Sequence, residues 1–105
     1  MYAVIRRYDN VSSVDEVMRR IEAGWAPLIR RAPGFIGYYA FEVGGDAAGS
    51  ISLFEDRAQA DDSAQRAADW VTGNLAALSP NPPQITAGEV RVHVTPERVS
   101  YRALR

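Results

Sequence analysis

One stretch, Pro33 to Asp56, limits what this chain can fold into more than any other. It opens on Pro-Gly, runs through Phe35 to Val43, crosses Gly44-Gly45-Asp46-Ala47-Ala48-Gly49 and returns as Ser50 to Glu55. Two extended runs around a Gly-rich connection read as a β-hairpin. Strand periodicity places Phe35, Tyr39, Phe41 and Val43 on one side and Ile36, Tyr38 and Ala40 on the other. Both sides are apolar, so both need cover. A sheet with helices on one face alone would leave a large apolar patch in water, which monomers rarely tolerate.

The segments around the hairpin supply helices for one face only. Tyr2 to Tyr8 alternates as a strand, with Tyr2, Val4, Arg6 and Tyr8 on one face and Ala3, Ile5 and Arg7 on the other. Ser13-Val14-Asp15-Glu16 is a capping box that opens a helix. Val14, Val17, Met18, Ile21, Trp25, Leu28 and Ile29 form its apolar stripe. Gly24 and Pro27 should bend or loosen its last turns, and Pro33-Gly34 ends it. Asp56-Arg57-Ala58-Gln59 opens a second helix whose apolar face reads Ala60, Ala64, Ala67, Ala68, Val71, Leu75 and Leu78. Small residues at its start let it sit close to a sheet. Ser79-Pro80-Asn81-Pro82-Pro83 stops it, and Ile85 to Val94 reads as the last strand.

The order β-α-β-β-α-β predicts an α+β, ferredoxin-like domain with an antiparallel sheet and both helices on one sheet face. Residues 1–95 form one domain, and 96–105 a C-terminal tail in which Val99 to Leu104 could add an edge strand. A second copy of the same sheet is the simplest cover for the bare face, so a homodimer is expected.

Composition narrows the partners. The chain has 105 residues, 47% hydrophobic and 24% charged, which is globular and one domain long. Its apolar run Phe35–Phe41 is too short to span a bilayer, and Arg6, Arg7 and Asp9 interrupt the start before a signal sequence could form. With no cysteine there are no disulfides and no thiolate chemistry, which suits a cytoplasmic protein. All 12 basic residues are Arg, a sign of GC-rich bacterial coding, and a net charge of −1 offers no field for nucleic acid.

Pro33-Gly34-Phe35-Ile36-Gly37-Tyr38-Tyr39 entering the hairpin, Ser52-Leu53-Phe54-Glu55-Asp56 leaving it, and Trp70 beyond resemble the dimeric α+β barrel superfamily, and within it the antibiotic biosynthesis monooxygenase family. The Pro80-Asn81-Pro82-Pro83 and Thr86-Ala87-Gly88-Glu89-Val90 segments are similar to small bacterial members of it. The resemblance covers roughly residues 1 to 95. It implies two sheets packed as a barrel, with a pocket between each sheet and its helices. Family pockets serve cofactor-free oxygenation of phenols, haem degradation, lactone isomerisation or ligand binding, so the resemblance names no single reaction. The haem-degrading branch uses an Asn on the first strand, a Trp on the second helix and a His near its end. Here Trp70 alone matches, which argues against haem.

The site residues expected from the sequence follow from these patterns. With Ala64 taken as the centre of the second helix's apolar face, Ser63, Trp70 and Asn74 share one flank. There Trp70 could form a platform for a flat ligand and Asn74 a donor to an oxyanion, or Trp70 could simply pack at a boundary. Tyr39 is the further candidate for ligand binding. Tyr38 and Tyr39 point to opposite sheet faces, so one of them at most lines a given pocket, and Tyr8 could join either. His93 and Arg91 share a strand face, and with Asn74 they are the candidates for catalysis; Arg6 could supply the same charge as Arg91. The expected ligand is an apolar or aromatic small molecule, bound without metal or other cofactor. The expected function is small-molecule binding, or else cofactor-independent oxygenation of an aromatic or phenolic substrate.

Other motifs fall away. Gly44 to Ser50 has a phosphate-loop outline but lacks the Lys and lies in a hairpin. Glu55-Asp56 and Asp61-Asp62 are acidic pairs at a helix start, where the macrodipole favours them. The third strand carries only Phe54 as an aromatic, without the stacking signature of RNA-recognition domains.

Overall fold

A computed structural model describes residues 1–97. Its elements are β1 (Tyr2–Tyr8), α1 (Val14–Arg20), a π-helical turn (Ile21–Trp25), α2 (Ala26–Ile29), β2 (Phe35–Val43), β3 (Ala47–Phe54), α3 (Arg57–Asn74) and β4 (Gln84–Glu89). The four strands form one antiparallel sheet in the order β2-β3-β1-β4. This is the ferredoxin-like α+β arrangement expected from the order of elements. The segment Val99–Leu104 lies outside the described residues.

β1 buries Val4, Arg6 and Tyr8 beneath the helices and turns Ile5 and Arg7 outward. Its register with β3 aligns Tyr2 with Phe54, Val4 with Ser52, Arg6 with Ser50 and Tyr8 with Ala48. In β2 an irregularity between Phe35 and Gly37 changes the alternation read from the sequence. Phe35 pairs with Phe54 and Tyr38 with Ser52, so Phe35 joins Tyr38 on the helix-covered face. The Phe35 and Phe54 rings meet edge to face, with centroids 5.9 Å apart. Tyr39, Phe41 and Val43 stay on the outer face opposite Ile51, Gly49 and Ala47. Tyr39 is 63% exposed and Phe41 41% exposed in the single chain, so among the described residues nothing fully covers this apolar face. The hairpin loop is shorter than the Gly-rich run, because Val43 already pairs with Ala47 and Gly44 takes a φ of 65°.

The first helical rod is continuous through three geometries. Ser13 caps α1, its hydroxyl accepting from the Glu16 amide at 3.2 Å. At 100° per residue, four-residue steps in an α-helix drift by about 40° each. Val17, Ile21, Trp25 and Ile29 are nevertheless all turned inward. The wider turn at Ile21–Trp25, where the Ala26 amide reaches the Ile21 carbonyl, removes part of that drift. Leu28, expected in the stripe, is consequently 54% exposed. The widened turn sits directly before Pro27, which has no amide to contribute to the ladder.

α3 is capped by Asp56, which accepts from the Gln59 amide at 2.8 Å. Its buried side is rotated from the alanine face expected: Ala60, Ser63 and Leu75 are buried while Ala68 is exposed. The rotation brings Trp70 inward, where its large ring outweighs a methyl group in apolar area. Trp70 packs against two clusters, one built on Val4, Trp25, Ile29, Phe54 and Ala60, the other on Tyr8, Val11, Val14, Val17 and Leu75.

β4 ends at Glu89 rather than Val94 for a geometric reason. It pairs only with β1, whose first residue, Tyr2, stands opposite Glu89. The Val90 amide still finds the Met1 carbonyl at 2.9 Å, and beyond it no partner strand remains among the described residues.

Candidate functional site

The site lies between the sheet and α3, where two hollows meet. The inner one, of about 30 Å³, is walled by Ile21, Trp25, Tyr38, Trp70 and Leu75. The outer one, of about 360 Å³, opens between the second half of α3, the Pro80–Pro83 loop and Ile85 of β4. Arg6, Tyr8, Val71 and Ser79 line both. The walls are mainly apolar, with a few polar groups at the junction, as small-molecule pockets usually are.

Trp70 is placed by two contacts. Its ring lies 6.0 Å from that of Trp25 with a 40° tilt between planes. Its far edge rests on the backbone of Gly24, where a Cβ would stand 2.9 Å from Cζ2. The glycine therefore makes room for the indole, and the π-turn holds Gly24 and Trp25 to receive it.

Arg6 is the most unusual side chain in the site. It is 6% exposed, and its Nη2 donates to the Ala64 carbonyl at 2.8 Å while Nη1 reaches the Tyr8 hydroxyl at 3.4 Å. Among the described residues it has no carboxylate partner, although other arginines pair with acids at the surface. Burying a guanidinium without a counter-charge is costly, because desolvation is not offset by Coulomb attraction. Ser79 lines both hollows as well, 6% exposed, its hydroxyl without a hydrogen-bond partner among the described residues.

Tyr38 contributes a phenol that stays protonated. Burial pushes it up to about 12, the nearby Tyr8 adds to the rise, and the Ser50 hydroxyl and Arg6 only partly oppose it. At neutral pH it is a hydrogen-bond donor, not a base. Arg6, Tyr8 and Tyr38 are the titratable side chains in the lining of the two hollows.

The residues expected from sequence come together only in part. Trp70 lines the inner hollow. Asn74, one turn on, is exposed and turns its amide back to the Trp70 carbonyl at 2.8 Å. Its own carbonyl accepts from Arg20, a cation at the C-terminal end of α3. Ser63 is buried but lies outside both hollows. Tyr39 stands on the opposite face of the sheet. Arg91 and His93 follow the end of β4, are exposed and line neither hollow. Tyr38, the alternative to Tyr39, lines the inner hollow together with Tyr8, and Ser79 was not singled out for the site. The shared strand face of Arg6 and Tyr8 pointed to part of this grouping.

No protein-family model and no curated protein sequence matches the chain. Solved structures do. A Nitrosomonas europaea protein of unknown function, NE2512, superposes with a TM-score of 0.75 at 21% identity, over 92% of this chain and 95% of that one. The Streptomyces coelicolor monooxygenase ActVA-Orf6, crystallised with Nanaomycin D, gives 0.72 at 16% identity over 91% and 92%. SnoaB of Streptomyces nogalater, a cofactor-independent oxygenase, gives 0.70 at 18% identity over 89% and 95%. The likeness is one of fold: the antiparallel α+β arrangement expected from the order of elements is shared with these solved structures.

Proposed function

We propose that this chain binds a small, flat, largely apolar molecule between its sheet and α3, and that it does so as a homodimer formed through the outer sheet face. The observation that carries the reading is the pair of joined hollows. The outer one matches the lower range of small-molecule pockets, about 300–1,000 Å³. The inner one has Trp25 and Trp70 in its wall and shares Arg6, Tyr8, Val71 and Ser79 with the outer. Pairing of the outer face of one sheet with that of a second copy accounts for the exposure of Ile5, Tyr39 and Phe41. Such an interface should bury more than about 1,000 Å² in total. The cysteine-free chain, none of whose described helices is long and apolar enough to cross a membrane, fits a cytoplasmic setting.

A second reading, cofactor-free oxygenation of a phenol, is favoured by the inner hollow. It is small and mainly apolar, with Trp25 and Trp70 in its wall. The substrate would supply all the electrons: one atom of dioxygen enters the ring, the other leaves as water, and the phenol becomes a quinone. The likeness to SnoaB and ActVA-Orf6 supports this reading at the level of fold.

A thermal-shift screen of naphthols, anthrols and polyketide-like phenols against wild type and Trp70→Phe tests the binding. Hits that raise the melting temperature of wild type more than that of the variant support a ligand reaching the tryptophan wall. A screen without hits removes the small-molecule reading. Oxygen uptake by the protein with any hit then separates catalysis from binding.

A further inference from the structure

Two buried polar groups with unused hydrogen-bonding capacity stand at the junction of the hollows. The guanidinium of Arg6 has five N–H donors, of which the structure engages one with a backbone carbonyl and another with a phenol oxygen. No Asp or Glu side chain reaches it among the described residues, and residues 98–105 contain neither residue type. Ser79 adds a buried hydroxyl that has no hydrogen-bond partner among the described residues. The fold brings the two together from opposite ends of the chain, from β1 and from the turn after α3, with Tyr8 between the hollows as well. A buried cation in a cavity wall that also carries a buried hydroxyl is the receiving half of an ion pair whose other half is not among the described residues.

We propose that the ligand of this site is a monoanion, an aromatic phenolate, enolate or carboxylate, whose charged oxygen is held by Arg6 and Ser79 while its ring lies in the outer hollow toward Val71 and Ile85. The proposal rests on the small-molecule reading above and adds the charge. One unit of positive charge faces the junction, and no carboxylate or imidazole lines either hollow to take up a proton. The protonation state that binds is therefore chosen by the ligand's own acidity. Tyr38, kept protonated by burial, adds a donor on the inner side and cannot accept the ligand's proton.

4-Nitrophenol serves as the probe, because it ionises near neutrality and only its phenolate is strongly coloured. Absorbance titrated against pH with saturating wild-type protein should show the probe's ionisation displaced to lower pH by about one unit or more. This corresponds to at least about a tenfold preference for the anion. Arg6→Gln should abolish the displacement, and Arg6→Lys should retain part of it, since the ammonium keeps the charge but loses the fork. The Lys variant and the wild-type titration keep the test valid if Arg6→Gln does not fold. Binding of 4-nitrophenol with its ionisation unmoved overturns the charge assignment and leaves the small-molecule reading standing. Displacement that persists in Arg6→Gln also overturns it. Failure of wild type to bind either form at millimolar concentration overturns both.

Discussion

Gly24 and Trp70 fit each other like a flat ring on a flat backbone: a Cβ on the glycine would stand 2.9 Å from Cζ2 and 3.3 Å from Nε1 of the indole. Gly24→Ala should therefore push Trp70 away from the first helical rod. The gain in helix propensity, about 0.8–1.0 kcal/mol at most, opposes an overpacking cost of about 1–3 kcal/mol. Net destabilisation of about 1 kcal/mol is expected in urea denaturation. The chain has only two tryptophans, so a change in emission reports the displaced pair directly.

Trp70→Phe should cost more than an exposed boundary residue would. The indole joins both core clusters and meets Trp25, so the shorter ring enlarges the inner hollow. A loss of about 1–2 kcal/mol is expected from the deleted contacts. A loss below about 0.5 kcal/mol would mean that the ring packs no more tightly than a typical surface side chain.

Tyr39→Glu tests the outer face. Tyr39 is 63% exposed in the single chain, so the fold should tolerate a carboxylate there. Across a two-fold interface the charge would meet its own copy in an apolar setting. Light scattering should show wild type at twice the chain mass and the variant at the mass of one chain, with an unchanged circular dichroism spectrum. Wild type running as a monomer at micromolar concentration contradicts the dimer.

Glu16 sets an acid limb in the stability. Hydrogen bonds from Arg19, and then from Arg20, lower its carboxyl from 4.5 to about 2. A folded-state value below the unfolded one gives stability that is complete above about pH 4.5 and lost as pH falls through about 2. The group is at the surface, so the contribution is small. Glu16→Gln should flatten the melting temperature between pH 4.5 and 2 relative to wild type and leave the trend above pH 5 parallel.

The order of elements was legible because its signals are local. Two N-caps, a Gly-rich hairpin connection and a proline stop each act within a few residues. Which side chains meet was less so. The irregularity at Phe35/Gly37 moves Phe35 to the other face, and nothing in Phe-Ile-Gly-Tyr specifies it apart from a glycine in a strand. The π-turn turns Leu28 out, with Gly24 and Pro27 as the only hints. The rotation of α3 depends on a slot that the first helical rod presents at Gly24, which periodicity within α3 cannot encode. Arg6 was the hardest to read. An Arg in a half-buried strand usually reaches water, and its lack of a carboxylate is a property of the assembled fold.

The central claim is a ligand site between sheet and α3, and amide and indole chemical shifts test it most directly. Titration of ¹⁵N-labelled protein with 1-naphthol should move the amides of Tyr8, Val71, Ser79 and Ile85 together with the Trp70 indole, all around the joined hollows. Shifts confined to Tyr39, Phe41 and Ile51 on the outer face, or no shifts at millimolar naphthol, would contradict the account.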